Sequence, residues 1–159
     1  MIQLRKIDSG NIGKVTKLSI NDSQKKFVTT NSESIFEAYV AITSGHVVQT
    51  FAICDDETPV GFVMFSYGSI GDQDEPKIAD RNYAIWSFMI DKHCQGRGYG
   101  KAALNVALDY LRTMPCGQAR HCWLSYEPEN LVAKALYALV GFKENGEMCG
   151  EETVAVIKL

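Results

Sequence analysis

The chain has 159 residues, 46% of them hydrophobic and 22% charged, which is typical of a globular domain with a buried core and excludes a disordered or fibrous chain. Its net charge of −3 at pH 7 argues against a general affinity for nucleic acid. No apolar run reaches the roughly 18–20 residues that span a bilayer, and the N-terminus lacks the apolar centre of a signal peptide. We therefore expect one domain over residues 1–159 that binds neither nucleic acid nor a membrane.

The cysteines indicate the redox environment and bear on metal binding. They are five in number and scattered, with no C-x-x-C pair, which predicts reduced thiols in the cytoplasm rather than a disulfide framework. Cys116, His121 and Cys122 lie close in sequence, but no second pair of ligands accompanies them at suitable spacing. No metal site is predicted.

In the first half of the chain, short strands and helices are predicted. Gln3–Ile7 alternates polar and apolar residues like a strand, and a helix is predicted over Ile12–Ile20. A second helix is predicted from Ser32, whose hydroxyl can cap it. Thr50–Cys54 and Val60–Tyr67 are rich in β-branched and aromatic residues, which predicts a hairpin with a longer turn.

The second half contains the most apolar segment. Residues 69–81 form a polar loop, and Tyr83–Ile90 (YAIWSFMI) is a nearly continuous apolar run, typical of a central strand covered on both faces. A glycine-rich turn and a helix ending near residues 114–117 follow. The later elements are a strand at His121–Tyr126, a helix at Asn130–Val140 and strands near Phe142–Gly146 and Thr153–Leu159. This order predicts a mixed α/β fold (α+β mixed) in three layers, a sheet between helices.

The segment Gln95–Lys101 (QGRGYGK) is the strongest candidate for a binding site. Its three alternating glycines allow the backbone N–H groups to point inward as an anion-binding nest, and the following helix adds its positive N-terminal end. Arg97 and Lys101 supply charge for the same anion. The spacing matches neither the nucleotide P-loop nor the dinucleotide fingerprint. The segment therefore predicts another phosphate-bearing ligand, the alternative being a tight turn.

Two motifs resemble those of the GNAT acetyltransferase superfamily. Gln95-x-x-Gly98-x-Gly100 after an apolar strand resembles its Q/R-x-x-G-x-G/A motif, and Asn130, Tyr137 and Gly141-Phe142 resemble its later signature. The two motifs follow each other along the chain in the same order as in that family. The resemblance implies a three-layer α/β/α fold with a mostly antiparallel sheet, splayed at its middle and flanked by about four helices. It also implies acetyl-coenzyme A-dependent N-acetyltransferase activity.

The same resemblance implies roles for individual residues. The backbone of the central strand would pair with the pantetheine arm, the glycine loop would bind the pyrophosphate, and Asn130 would bond the arm. Tyr137 would protonate the departing thiolate, the alternative being an ordinary core aromatic. The implied cofactor-binding residues are Phe88, Met89, Ile90, Gln95, Gly96, Arg97, Gly98, Tyr99, Gly100, Lys101, Asn130 and Tyr137.

The base that deprotonates the amine is not identified by the sequence. A free alkyl amine has a pKa of about 10 and must lose a proton before it attacks. Many family members use a carboxylate on the central strand, but here the first is Asp91, which we expect to face the cofactor loop. A water chain ending at Glu37, Glu75 or Glu127 is the alternative.

The acceptor is suggested by residues 21–39, which resemble bacterial spermine/spermidine (diamine) acetyltransferases. In that fold the first two helices flank the acceptor site. The candidate substrate residues are Glu33, Glu37, Tyr39 and Trp86, with Asp22, Tyr67, Asp72, Asp74 and Glu75 as further candidates. The alternatives are a solvated acidic helix face, acetylation of a protein N-terminus, lysine or other small amine, and a non-catalytic acetyl-coenzyme A-binding module. In this fold the terminal strands often pair between subunits, which suggests a homodimer.

Overall fold

The computed structural model describes residues 1–159 as one seven-stranded sheet with helices on both faces. The strands are β1 Ile2–Lys6, β2 Val47–Asp55, β3 Thr58–Tyr67, β4 Tyr83–Ile90, β5 His121–Tyr126, β6 Lys143–Cys149 and β7 Glu152–Lys158. The helices are α1 Ile12–Val15, α2 Asn31–Thr43, α3 Tyr99–Arg112 and α4 Leu131–Val140, with 3-10 turns at Asp22–Gln24 and Lys77–Ala79. The sheet order is β1-β2-β3-β4-β5-β7-β6. None of the helices combines the length and apolarity needed to cross a bilayer.

Two opposite faces of the sheet carry separate parts of the core. On one face, Leu104, Leu108 and Leu111 of α3 are fully buried, and α4 packs beside them. On the other face, Val15 of α1 and Ala38 of α2 pack against β2, β3 and β4. Because apolar side chains of the central strands point to both faces, helices must cover both. The predicted three-layer fold is confirmed.

The first two helices differ from their predictions. α1 ends at Val15 rather than Ile20, because the chain there bonds to the sheet: the backbone of Ser19 accepts from Lys92 N at 2.7 Å and donates to the Asp91 carboxylate at 2.9 Å. α2 is capped by Thr30 rather than Ser32. Its hydroxyl accepts from Glu33 N at 3.2 Å, and Glu33 completes a capping box.

The hairpin turn between β2 and β3 is also shorter than predicted. Asp55 pairs with Thr58, so only Asp56 and Glu57 form the loop. Asp56 adopts φ 52°, a left-handed conformation that aspartate tolerates and two-residue hairpin loops require. The strands extend into the segment predicted as turn because a register shift next to Cys54 lets Pro59 join the ladder.

The sheet opens between β4 and β5, its one parallel pair. They pair only at Tyr83 with Cys122 and at Ala84 with Trp123, and then separate. On its other edge β4 remains paired with β3, and a register shift there leaves Trp86 without a partner residue. A bulge of this kind bends its strand. The predicted opening in the middle of the sheet is confirmed, and the backbone of residues 85–90 borders it.

Candidate active site

A cavity of about 300 Å³ lies where β4 and β5 separate. It is lined by residues of β4, β5 and β7, by α2 and the start of α4, and by the segments before α2 and after β3. Of the predicted site residues, this opening brings together Glu37, Trp86, Phe88, Asn130 and Tyr137, with the further candidates Asp72, Glu75 and Glu127. The cavity therefore joins the predicted cofactor arm site to part of the predicted substrate site.

The glycine loop at the end of β4 has the geometry of an anion site. Gly96 and Gly98 adopt φ values of 75° and 80°, and a Cβ at either position would project into open space. Backbone N–H groups of residues 96–101 donate to no other protein atom. Gly98 is the N-cap of α3, whose first turn contains no acid. Arg97 and Lys101 are exposed and form no ion pair. These features fit a pyrophosphate.

Gly100 and Tyr99, which belong to the same motif, make packing and hydrogen-bond contacts within the protein. Gly100 is helical, and a Cβ there would lie 3.2 Å from Leu136 Cδ2, so this glycine permits close packing of α3 on α4. The Tyr99 hydroxyl donates to Asp55 Oδ2 at 2.7 Å and anchors the start of α3 to β2. The anion-binding conformation therefore rests on the first two glycines.

The Gln95 side chain is hydrogen-bonded within the protein. Its Nε2 donates to the carbonyl of Ile90 and to Gln24 Oε1, both at 2.9 Å, and its Oε1 accepts from Asn21 Nδ2 at 2.9 Å. The side-chain amide is thus engaged within the protein. Two of the strand residues predicted to bind the pantetheine arm have contacts within the protein. The carbonyl of Ile90 accepts the hydrogen bond from Gln95 Nε2, and the Met89 side chain is buried on the face of the sheet that α2 covers.

The later motif shapes the other wall of the cavity. Asn130 is the N-cap of α4, where its Oδ1 accepts from Ala133 N at 3.2 Å, leaving the amide Nδ2 as a donor at the cavity. Gly141 ends the helix at φ 113°. Phe142 N then donates to the Tyr137 carbonyl at 3.0 Å, and the buried Phe142 ring packs against Tyr137. The glycine and phenylalanine of the motif therefore support the tyrosine.

Two tyrosines line the cavity, and their hydroxyl groups differ. The Tyr126 hydroxyl donates to Glu144 Oε1 at 2.8 Å, and burial followed by this bond raises its pKa to about 12. Tyr137 makes no such bond. Burial, then the charges of Glu152 and Tyr126, raises the pKa of Tyr137, so its phenol stays protonated at neutral pH. Only Tyr137 can offer its proton to a sulfur atom without breaking an internal hydrogen bond.

The cavity is acidic. Five carboxyl groups line it, and no lysine, arginine or histidine does: they belong to Glu37, Asp72, Glu75, Glu127 and Glu152. Glu75 is held by its own loop, accepting from Ile70 N at 2.9 Å and from the Ser69 hydroxyl. Glu152 accepts from the Ser125 hydroxyl. Partial burial, and secondarily the charge of Glu33, raises the pKa of Glu37.

Other predicted acids and aromatics lie outside the cavity. Glu33 caps α2 by accepting from Thr30 N at 3.1 Å, and Tyr39 is 68% exposed. Asp22 pairs with Lys25, Asp74 is exposed, and the Tyr67 hydroxyl donates to the Gln118 carbonyl. Asp91 is buried and accepts from Ser19 N and His93 N, in agreement with its predicted orientation away from the substrate.

Several cavity residues had no signal in the sequence. Ser87 of β4 meets Ser34 of α2, with their hydroxyl oxygens 3.3 Å apart. Trp123 lines the cavity, and its buried indole N–H has no hydrogen-bond partner. Glu152 begins the last strand. These residues meet only because distant strands and helices converge, which no local pattern reveals. No group of three or more His, Cys, Asp or Glu side chains is arranged to hold a metal ion.

The sequence matches the model of the acetyltransferase (GNAT) family over residues 17–142. This chain belongs to the GNAT family. Like other GNAT enzymes, it is an acetyl-coenzyme A-dependent N-acetyltransferase. The predictions of family, enzyme class and cofactor from the two motifs are confirmed.

This GNAT enzyme is similar in sequence to a named bacterial acetyltransferase and in fold to several solved acetyltransferases. It is 26% identical to a probable spermine N(1)-acetyltransferase of Bacillus subtilis subsp. natto, over 92% of this chain and 91% of the relative. An aminoglycoside acetyltransferase solved with coenzyme A has a TM-score of 0.76 at 15% identity, covering 99% of this chain and 95% of that one. The Vibrio cholerae spermidine N-acetyltransferase, solved with coenzyme A and spermine, has a TM-score of 0.69 at 20% identity, with the same coverage of 99% and 95%.

Proposed function

We propose that this N-acetyltransferase acetylates a primary amine of a polyamine such as spermidine or spermine. The observation that carries the proposal is the lining of the cavity, which has five carboxyl groups and no basic side chain. A polyamine carries an ammonium group at each end and more along its chain, since alkyl amines have pKa values of about 10. Carboxylates in a partly enclosed site attract such a cation more strongly than exposed ones do.

The arrangement of the acids suits an extended cation. Glu37 lies on α2, Asp72 and Glu75 in the loop after β3, and Glu127 and Glu152 on the β5 and β7 side. An amine with several charges spaced by methylenes can meet acids on more than one wall. Trp86 and Phe27 offer apolar and aromatic surface for the methylenes and for cation–π contacts. The name of the Bacillus subtilis relative supports the same substrate class.

Glu37 is our candidate for the group that accepts the proton of the amine, directly or through water. Among the three acids suggested by the sequence, Glu75 is engaged by its loop, and desolvation raises the pKa of Glu37. A raised pKa strengthens a carboxylate as a base. Glu127 remains the alternative that the same cavity offers.

The proposed reaction is one direct transfer. The neutral amine nitrogen attacks the acetyl carbon, the new C–N bond forms, and the C–S bond breaks. A backbone N–H of β4 near Met89 stabilises the developing negative charge on the carbonyl oxygen. Glu37 accepts the proton that the ammonium group loses before the attack, and the second proton, lost by nitrogen as the C–N bond forms, leaves through water. Tyr137 donates a proton to the departing thiolate and is reprotonated from solvent.

A panel of acceptor amines tests the proposal. Thiol release from acetyl-coenzyme A is measured with spermidine, spermine, free lysine, a peptide with a free N-terminus and an aminoglycoside, and the products are identified by mass spectrometry. We expect kcat/KM for spermidine or spermine to exceed that for every other amine. Preference for a peptide, lysine or the aminoglycoside would overturn the polyamine assignment. Absence of thiol release with every amine of the panel would overturn it as well and would place the acceptor outside these classes of amine.

A further inference from the structure

The glycine loop is tied by hydrogen bonds to the chain segment between α1 and α2, residues 16–30, which we call the connector. Two of these bonds join the end of β4 to the backbone of Ser19: Lys92 N donates to Ser19 O at 2.7 Å, and Ser19 N donates to Asp91 Oδ1 at 2.9 Å. Two more come from Gln95, which accepts from Asn21 Nδ2 and donates to Gln24 Oε1, both at 2.9 Å. Gln95 stands directly before the anion-binding residues.

The far end of the connector forms part of the cavity wall. Phe27, Val28 and Thr29 line the cavity. Gln24 links the two ends, because its side chain bonds Gln95 and its carbonyl accepts from Phe27 N at 2.9 Å. Its Oε1 also accepts from Asn21 N at 3.3 Å, which closes the 3-10 turn. A continuous set of hydrogen bonds therefore runs from the glycine loop to the cavity wall.

We propose that Gln95 is a positioning residue that couples cofactor binding to the order of the amine side of the cavity. A pyrophosphate bound by the N–H groups of residues 96–101 restrains the loop, and through Gln95 it restrains Gln24 and the connector. The wall formed by Phe27–Thr29 then takes up its binding conformation when the cofactor is present. Linkage requires the effect to be reciprocal, so the amine strengthens cofactor binding by the same factor.

This inference rests on the proposed location of the acceptor in the cavity, but it does not require the acceptor to be a polyamine. The simplest interpretation of the motif instead has the Gln95 side chain in contact with the cofactor. The Gln95 amide is hydrogen-bonded within the protein, and in this proposal the cofactor binds the backbone that follows it.

Hydrogen exchange of the connector gives a test that needs no substrate. Amides of residues 19–29 are followed with and without saturating coenzyme A in the wild type, Gln95→Met and Gln24→Ala. Methionine is close in shape to glutamine and removes its hydrogen bonds. We expect coenzyme A to slow exchange in the wild type, and the slowing to fall about two- to tenfold in both variants, the range that corresponds to the loss of a hydrogen bond. Gln118→Ala, an exposed glutamine outside the site, serves as the control and keeps the wild-type response.

Coenzyme A affinity separates coupling from direct contact. Coupling predicts that Gln24→Ala and Gln95→Met bind coenzyme A with similar affinities, while the gain in spermine affinity caused by coenzyme A is reduced in both. Unchanged protection of residues 19–29 in Gln95→Met would overturn the proposal. So would a loss of coenzyme A affinity in Gln95→Met alone, because that result would indicate direct contact with the cofactor. If spermine fails to bind even the wild type, the polyamine assignment fails and the exchange result still decides the coupling.

Discussion

The ring of Phe142 packs against the ring of Tyr137 with centroids 6.0 Å apart and planes at 63°. The ring of Tyr126 also lies near the ring of Tyr137, with centroids 5.8 Å apart. Both contacts involve the ring of Tyr137, and its hydroxyl has no partner in the chain. A change of Tyr137 to phenylalanine therefore removes the proposed proton donor and preserves the packing.

We expect Tyr137→Phe to lower kcat by about a hundredfold, the lower end of the range for general acid catalysis. The affinity for coenzyme A should change little, because the glycine loop is untouched. Thiol release and calorimetric titration measure the two quantities. Tyr110→Phe is a matched control, since its hydroxyl donates to Gln49 far from the cavity. If Tyr137→Phe turns over at the wild-type rate, Tyr137 has no part in the chemistry.

Gly98 offers a second test, directed at the anion site. An alanine at φ 80° is strained by about 1–2 kcal/mol, and its Cβ would project into the open space next to the loop N–H groups. Gly45 has φ 90° and equal open space but lies beyond the end of α2, away from the cavity. Both alanine variants should lose similar thermal stability, and only Gly98→Ala should also weaken coenzyme A binding. Equal affinities in the two variants would place the pyrophosphate elsewhere.

The pH dependence of turnover tests Glu37. The pKa of Glu37 is raised in the folded state, so its ionised form lowers the stability of the fold once the pH rises through that pKa. Glu37→Gln should therefore not destabilise the protein at neutral pH. If Glu37 accepts the amine proton, Glu37→Gln lowers kcat/KM most at neutral pH. The deficit should shrink as the pH approaches the amine pKa of about 10, where the substrate deprotonates unaided. A deficit that is constant with pH would assign Glu37 to binding alone.

Glu33→Gln is the control for this experiment. Glu33 lies one helical turn before Glu37, but its carboxylate is engaged in the cap of α2, which lowers its pKa. This contribution to stability is present above the pKa of the unfolded chain and is lost as the pH falls through the lowered folded value. Glu33→Gln should therefore lower thermal stability at neutral pH. It also removes a charge that contributes to the raised pKa of Glu37, so the acidic limb of kcat/KM should move slightly toward lower pH, without the loss at neutral pH expected of Glu37→Gln.

Asp72 and Asp74 lie in one loop, and only Asp72 lines the cavity. If the acidic lining binds a polycation, Asp72→Asn should raise KM for spermidine severalfold with kcat little changed, whereas Asp74→Asn should have no effect. The difference in KM between the two variants should decrease when the salt concentration rises from about 0.1 M to about 1 M, because the screening length falls from about 10 Å to about 3 Å. Equal behaviour of the two variants would argue against binding of the distal ammonium at this loop.

Local patterns were sufficient for most of the secondary structure. The strands Tyr83–Ile90 and His121–Tyr126 have the predicted bounds. The first is a nearly continuous apolar run between turn residues, which is a strong local signal. The shortened α1 and the two-residue hairpin turn were not predicted. Both depend on partners far away in sequence: Asp91 and Lys92 for the end of α1, and the strand register for the turn.

The cofactor motif depends on residues that are adjacent in the chain, whereas the acceptor cavity depends on residues that are far apart in sequence. Gly96, Gly98 and the start of α3 are adjacent in the chain, so the backbone conformation that binds an anion is encoded within a few residues and could be recognised from them. The acidic lining combines side chains from α2, from the loop after β3 and from β7, which are more than a hundred residues apart at the extremes. The cofactor could be inferred from local sequence because its binding uses contiguous backbone N–H groups. The acceptor cavity, the separation of Glu37 from Glu33 and the orientation of Gln95 depended on tertiary structure, because long-range packing determines which side chains share a space.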